Sequence, residues 1–200
     1  EFAEGIAKLP KMCPHFHLSL QSGCDATLKR MNRRYTSREY AEKCELLRKY
    51  FPNPALTTDV IVGFPGETEE EFEQTKAYLE HIHFYEMHIF KYSKRKGTRA
   101  AVMPDQIDED IKADWQADVM ELEEEVIFDK NETLKGKELY VFIEGKVADE
   151  NAYIGRTYRD APNVDGYIFI NTDETLMTGD ICKVMVTGAY EYDLIGELVK

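Results

Sequence analysis

The side chains best suited to chemistry fall near the ends of two apolar runs. Gln21 closes "HFHLSLQ", Arg33 follows twelve residues later, and Asp59 lies within "TTDVIVGFPGETEEEFEQT". An Asp and a Gln can hold the hydroxyls of a ribose, and an Arg can grip a carboxylate through two parallel hydrogen bonds. None of the three belongs in an apolar interior without a polar partner. Gly63 and Gly66 flank Phe64 and Pro65 where the second run gives way to an acidic amphipathic segment. This turn is not a phosphate-binding loop, which needs a Lys and a Ser or Thr after its second Gly; here Glu67 follows Gly66. Glutamates would repel phosphate, although they suit the positive end of their own helix. A plain strand-to-helix turn and a turn shaped for a close ligand both fit. Position favours the second, because ligands of α/β folds bind beyond the carboxyl ends of strands.

Other groups carry weaker signals. His15 and His17 share one face of a strand, which can suggest metal. With no third ligand near them in the sequence they read as strand-face histidines, and no metal site is expected. Lys91, Lys94, Arg95 and Lys96 form a basic cluster at a strand end, a candidate substrate contact or a solvated loop. The four cysteines, Cys13, Cys24, Cys44 and Cys182, have no metal-binding or redox spacing. Scattered single thiols fit a reducing cytoplasm. Cys24 reads as a packed thiol. No catalytic residue is expected within the chain.

The elements that must position these groups follow from periodicity. "CPHFHLSLQ" alternates as a strand ending near Gln21, "ALTTDVIVG" is a buried β-branched strand, and "YEMHIFKY" is a third strand. Thr36 with Glu39, and Thr68 with Glu71, are spaced as capping boxes for two intervening helices. Strands alternating with helices predict parallel βα units. From Asp105 to Leu134 the chain reads as one long acidic helix, with Ile111, Trp115, Val119, Leu122 and Val126 on one face. Five short strands follow, a pattern that predicts a small barrel. The expected layout is residues 1–104 as α/β units, 105–134 as a connecting helix and 135–200 as the all-β domain.

Charge is uneven along the 200 residues. Residues 1–100 hold 16 basic and 14 acidic side chains, 101–132 hold 2 and 12, and 133–200 hold 7 and 12. The net charge of −13 is therefore centred on the connecting helix, and the all-β domain is itself acidic at −5.

Three motifs, "HFHLSLQSGCDATLKRMNRRY", "TTDVIVGFPGETEEEFEQT" and "HIFKYSKRKGT", closely resemble the later part of the barrel of the radical S-adenosylmethionine methylthiotransferases. The likeness covers nearly the whole chain. It implies a partial βα barrel, a long helix and a terminal five-stranded TRAM barrel. It also implies S-adenosylmethionine and 4Fe-4S clusters as cofactors, with the cluster ligands outside this chain. By the same resemblance Gln21 and Asp59 would contact the ribose and Arg33 the methionine carboxylate. Gly63 and Gly66 would let the backbone lie close to the nucleoside. Residues 1–100 look like the members that modify threonylcarbamoyladenosine of tRNA. Residues 105–200 look like those that modify an aspartate of a ribosomal protein, and the changeover falls near Ala100 to Gln106. A natural hybrid and a junction of two genes would both read this way. The main expectation is tRNA methylthiolation. The alternatives are a ribosomal-protein substrate and a non-catalytic RNA- or protein-binding module.

Overall fold

The computed structural model describes residues 1–148 and 151–199. The chain divides into two compact units, Glu1–Met12 with Phe16–Glu123, and Cys13–His15 with Glu124–Lys200.

The first unit runs α1 (Phe2–Ile6), β1 (His15–His17), α2 (Asp25–Arg30), α3 (Ser37–Tyr50), β2 (Ala55–Val62), α4 (Glu69–Ile82) and β3 (Glu86–Lys91), then enters α5 (Glu109–Glu132). Its three strands lie in the order β1-β2-β3, and β2 pairs with β3 in parallel. Each long helix starts where a side chain can satisfy its free amide groups. Thr36 accepts from the Glu39 amide at α3, and Thr68 accepts from the Glu71 amide at α4, with both glutamates reaching back to close the capping box. Helix α4 ends on His83 in the left-handed conformation. The core gathers Leu20, Cys44, Leu56, Val60, Phe72, Leu79, Phe84 and Val119, all essentially inaccessible. Phe72 stacks face to face on Trp115 at 4.5 Å.

Helix α5 begins later than its sequence pattern predicts. Asp105 takes a left-handed backbone, and the Asp108 carboxylate accepts from the Asp110 amide, so the helical ladder starts beyond it. Val119 is fully buried, whereas Ile111, expected on the same stripe, is 45% exposed.

The second unit contains a closed barrel of β4 (Glu138–Lys146), β5 (Ala152–Arg156), β6 (Ile168–Asn171), β7 (Ile181–Tyr190) and β8 (Asp193–Leu198), in the order β4-β5-β6-β8-β7. Closure leaves no free sheet edge. Val141, Ile143, Ile168, Ile170 and Val184 fill it with no measurable exposure. Register shifts at Ile143/Gly145 and Val186/Gly188 bend the strands enough to close the ring. The βα scaffold, long helix and five-stranded barrel are the architecture anticipated from the sequence. Among the described residues no helix is long and apolar enough to cross a membrane.

Candidate functional site

Alternation along β2 sends Thr58, Val60 and Val62 into the core and leaves Asp59 and Ile61 half-buried on the opposite face. Register then sets neighbours: Asp59 lies beside His88, and Thr57 beside Glu86. On the other side His17 reaches Asp59 from β1. Its Nε2 is 3.3 Å from Asp59 Oδ2, and Ser19 Oγ donates to the same oxygen at 3.1 Å. His88 Nδ1 is 3.3 Å from Asp59 Oδ1. Burial alone would raise the Asp59 carboxyl. Hydrogen bonds from Ser19, His17 and His88, together with charge on His17, outweigh burial and hold it below the ordinary carboxylate range. His17 is a strand-face histidine as read, but it has partners that its sequence neighbourhood did not show. Its missing partners, Asp59 and His88, are distant in sequence and are brought to it by strand pairing. His15 is not part of this cluster.

Gln21 is 6% exposed and holds a left-handed backbone at φ 76°. Its amide donates to the Asp59 carbonyl and its carbonyl accepts from the Ile61 amide, which ties the end of the first run to β2. A non-glycine residue in this conformation costs about 1 kcal/mol or more and marks a position fixed by its surroundings. The turn that follows β2 has reasons for glycine that need no ligand. Gly63 has φ +73°, and a Cβ there would lie 2.3 Å from Lys112 Cγ. Gly66 has φ +78°, with Arg30 Cδ 3.4 Å from the same construction.

Directly after these glycines sits a group that the sequence reading used only to rule out a phosphate-binding loop. Glu67 is 4% exposed, and its Oε2 accepts from the Gly63 amide at 2.7 Å and from the Phe64 amide at 3.1 Å. Burial pushes its carboxyl up to about 7, further than these two bonds and Arg30 can pull it down. The folded pKa exceeds the unfolded one, so Glu67 contributes stability below about pH 4.5 that is lost as pH rises toward 7. Glu67→Gln should flatten that decline, by roughly 2–3 kcal/mol across the window. Urea unfolding at several pH values, followed through Trp115, reads this directly. An unchanged pH slope would show that Glu67 is not the group responsible.

Arg33 is exposed and follows α2, with its amide donating to the Leu28 carbonyl. Its charge acts on Tyr35, whose hydroxyl donates to the Leu20 carbonyl at 2.7 Å, just before Gln21. Lys91 ends β3, and Lys94, Arg95 and Lys96 lie exposed in the loop beyond it. The structure thus joins Gln21, Asp59 and Gly63 through one strand end. Among the described residues, the side chains of Arg33 and the basic cluster make no hydrogen bond or ion pair with that group. All four cysteines are free; Cys44 and Cys24 are buried, and Cys24 Sγ donates to Gln74 Oε1 at 3.4 Å. No group of thiolates converges among the described residues, so the cysteines present do not fit an iron–sulfur cluster.

A parallel βα sheet with a strand-end polar site, followed by a small closed five-stranded β-barrel, defines the class by architecture: an α/β domain joined to a small barrel module. Comparison with known proteins agrees. Residues 1–79 match the radical SAM superfamily and 136–199 match the TRAM domain. The chain belongs to the radical S-adenosylmethionine methylthiotransferase family. It is 44% identical over 196 residues to "Ribosomal protein uS12 methylthiotransferase RimO" of Lachnoclostridium phytofermentans. It is 40% identical over 196 residues to the like-named protein of Clostridium botulinum strain Hall, and 38% identical over 197 residues to that of Thermoanaerobacter sp. strain X514. Each comparison covers 98% of this chain, hence both sides of Ala100 to Gln106, and 44% of the relative. None of these relatives is named for tRNA, and they do not support the tRNA reading of residues 1–100.

Proposed function

We propose that the complete protein carrying this chain transfers a methylthio group to ribosomal protein uS12 in the cytoplasm. This chain forms part of its cofactor barrel and the TRAM barrel that presents the substrate. The observation that carries the reading is the likeness to uS12 methylthiotransferases over 98% of the chain. Charge supports it. Residues 133–200 are net −5, which suits a basic protein better than a phosphate backbone.

Bound S-adenosylmethionine, with a reduced 4Fe-4S cluster, supplies a 5′-deoxyadenosyl radical to such enzymes. The cluster ligands belong to parts of the protein outside this chain. Gln21 and Arg33 are the residues proposed to hold the ribose and the methionine carboxylate, beside the Gly63–Gly66 turn. At Gly63 the side a Cβ would take is filled by Lys112, so the nucleoside must approach the turn from another direction. A ribose hydroxyl would share the Asp59 carboxylate with His17 and Ser19 on Oδ2 and His88 on Oδ1, which together take three of its roughly four acceptor sites. Lys91, Lys94, Arg95 and Lys96 are proposed substrate contacts, suited to a carboxylate on the protein substrate.

In a full-length protein, Arg33→Lys should weaken S-adenosylmethionine binding by about 1–3 kcal/mol, because Lys cannot make the two-pronged contact. Unchanged affinity in a calorimetric titration would remove Arg33 from the site. For the substrate, this chain should bind purified uS12 in preference to tRNA at physiological salt. Any tRNA binding should fall steeply with salt and depend on the Lys91–Lys96 cluster. Tight, salt-tolerant tRNA binding with no affinity for uS12 would overturn the assignment.

A further inference from the structure

We propose that His17, Asp59 and His88 form a binding site for a divalent transition-metal ion of the zinc type, on the half-open face of the β1-β2-β3 sheet. Three adjacent strands each contribute one side chain, and all the ligand atoms lie within 4.8 Å of one another. Two of the spacings are informative. His17 Nε2 and His88 Nδ1 are each 3.3 Å from an Asp59 oxygen. That is long for a charge-assisted hydrogen bond, which runs about 2.7–2.9 Å. It matches the edge of a coordination tetrahedron, about 3.3 Å for ligands held at about 2.0–2.1 Å from zinc.

The outer nitrogens point the same way. A metal-bound imidazole normally has its second nitrogen fixed by another polar group, which sets ring orientation and tautomer. His17 Nδ1 is 3.0 Å from Thr57 Oγ1. His88 Nε2 faces the Glu86 carboxylate at 3.8 Å. Both arrangements leave the inner nitrogen of each ring turned toward Asp59. Two imidazoles and one carboxylate form a donor set for zinc, cobalt(II) or iron(II), leaving coordination positions for water or substrate. No thiolate takes part, so this centre is chemically distinct from an iron–sulfur cluster. The side chains of His17, Asp59 and His88 are 39%, 29% and 30% exposed, so an ion can enter without unfolding. The site stands on this geometry alone and does not depend on which substrate the complete enzyme uses.

The test is a titration of the chelator-stripped 200-residue chain with Co²⁺, read by visible d–d absorption, and with Zn²⁺, read by calorimetry. One ion per chain is expected. His17→Ala, Asp59→Asn and His88→Gln should each weaken binding by at least about 100-fold, and Thr57→Val by about 10-fold through the outer nitrogen of His17. Asp59→Asn is isosteric and all three groups are partly exposed, so circular dichroism should confirm that each variant folds. Absence of binding below millimolar metal would overturn the proposal. So would binding of unchanged affinity in all three ligand variants, which would put the ion on other histidines or thiols. In either case the three residues would be a hydrogen-bonded His–Asp–His chain only.

Discussion

Gly63→Ala is expected to destabilise the first unit by about 3 kcal/mol. Two costs combine. Alanine at φ +73° sits in the left-handed region, which costs about 1–2 kcal/mol for a residue with a Cβ. The new methyl would also lie 2.3 Å from Lys112 Cγ and 3.0 Å from its Cδ. Lys112 cannot simply swing away. It is 1% exposed, and its Nζ donates to the Tyr92 carbonyl and to the Glu109 carboxylate. Forcing extra atoms into such a site costs about 1–3 kcal/mol. The chain has a single tryptophan, Trp115, stacked on Phe72 in this unit, so its fluorescence in urea reports the relevant transition. Adding Lys112→Ala to Gly63→Ala should relieve the overlap cost but not the backbone cost, giving a combined effect that is less than additive. A shift below about 1 kcal/mol in Gly63→Ala would show that the turn relaxes freely.

Gly196→Ala should be comparably damaging to the barrel, by about 2–3 kcal/mol. A Cβ on Gly196 would meet Val184 Cγ1 at 2.5 Å and the Met185 carbonyl oxygen at 2.8 Å. The second contact is the harder one, because that carbonyl belongs to the β7–β8 ladder and cannot move without distorting the pairing. Gly155 faces the same problem against Val141 and the Phe142 carbonyl. Gly145 is the control. Nothing lies within 4 Å of its Cβ position, and Gly145→Ala should change stability by no more than about 0.5 kcal/mol. Amide exchange of Ile168, Ile170 and Val184 reads the barrel directly. Equal protection in the Gly196 and Gly145 variants would refute the steric account.

Much of the fold was legible because its signals are local. The two capping boxes are three-residue spacings, and both form as read. The β-branched run Ala55–Val62 and the five short strands announce themselves by alternation and turn residues. The start of α5 was misplaced because a left-handed Asp105 and a cap at Asp108 interrupt an otherwise helical composition. The site was less legible because its parts meet through register. His17, Asp59 and His88 come from three strands, and only the pairing of Asp59 with His88 and the position of β1 beside β2 bring them together. Glu67 looked like one more glutamate at a helix start. Its burial depends on folding around the Gly63–Gly66 turn, and no short spacing reveals that. The motifs in residues 1–100 that resemble tRNA-modifying enzymes fall within the stretch that also matches the uS12 methylthiotransferases, so they do not separate the two substrates.

The most direct test of the central claim is turnover by a full-length protein carrying this chain. It would receive S-adenosylmethionine, a reductant and a sulfur source, with uS12 in ribosomal subunits and unmodified tRNA offered together. Mass spectrometry of both substrates then reads the outcome. The account predicts a methylthio group on an aspartate of uS12 and none on the tRNA. A methylthio group on threonylcarbamoyladenosine, with uS12 unmodified, would contradict it.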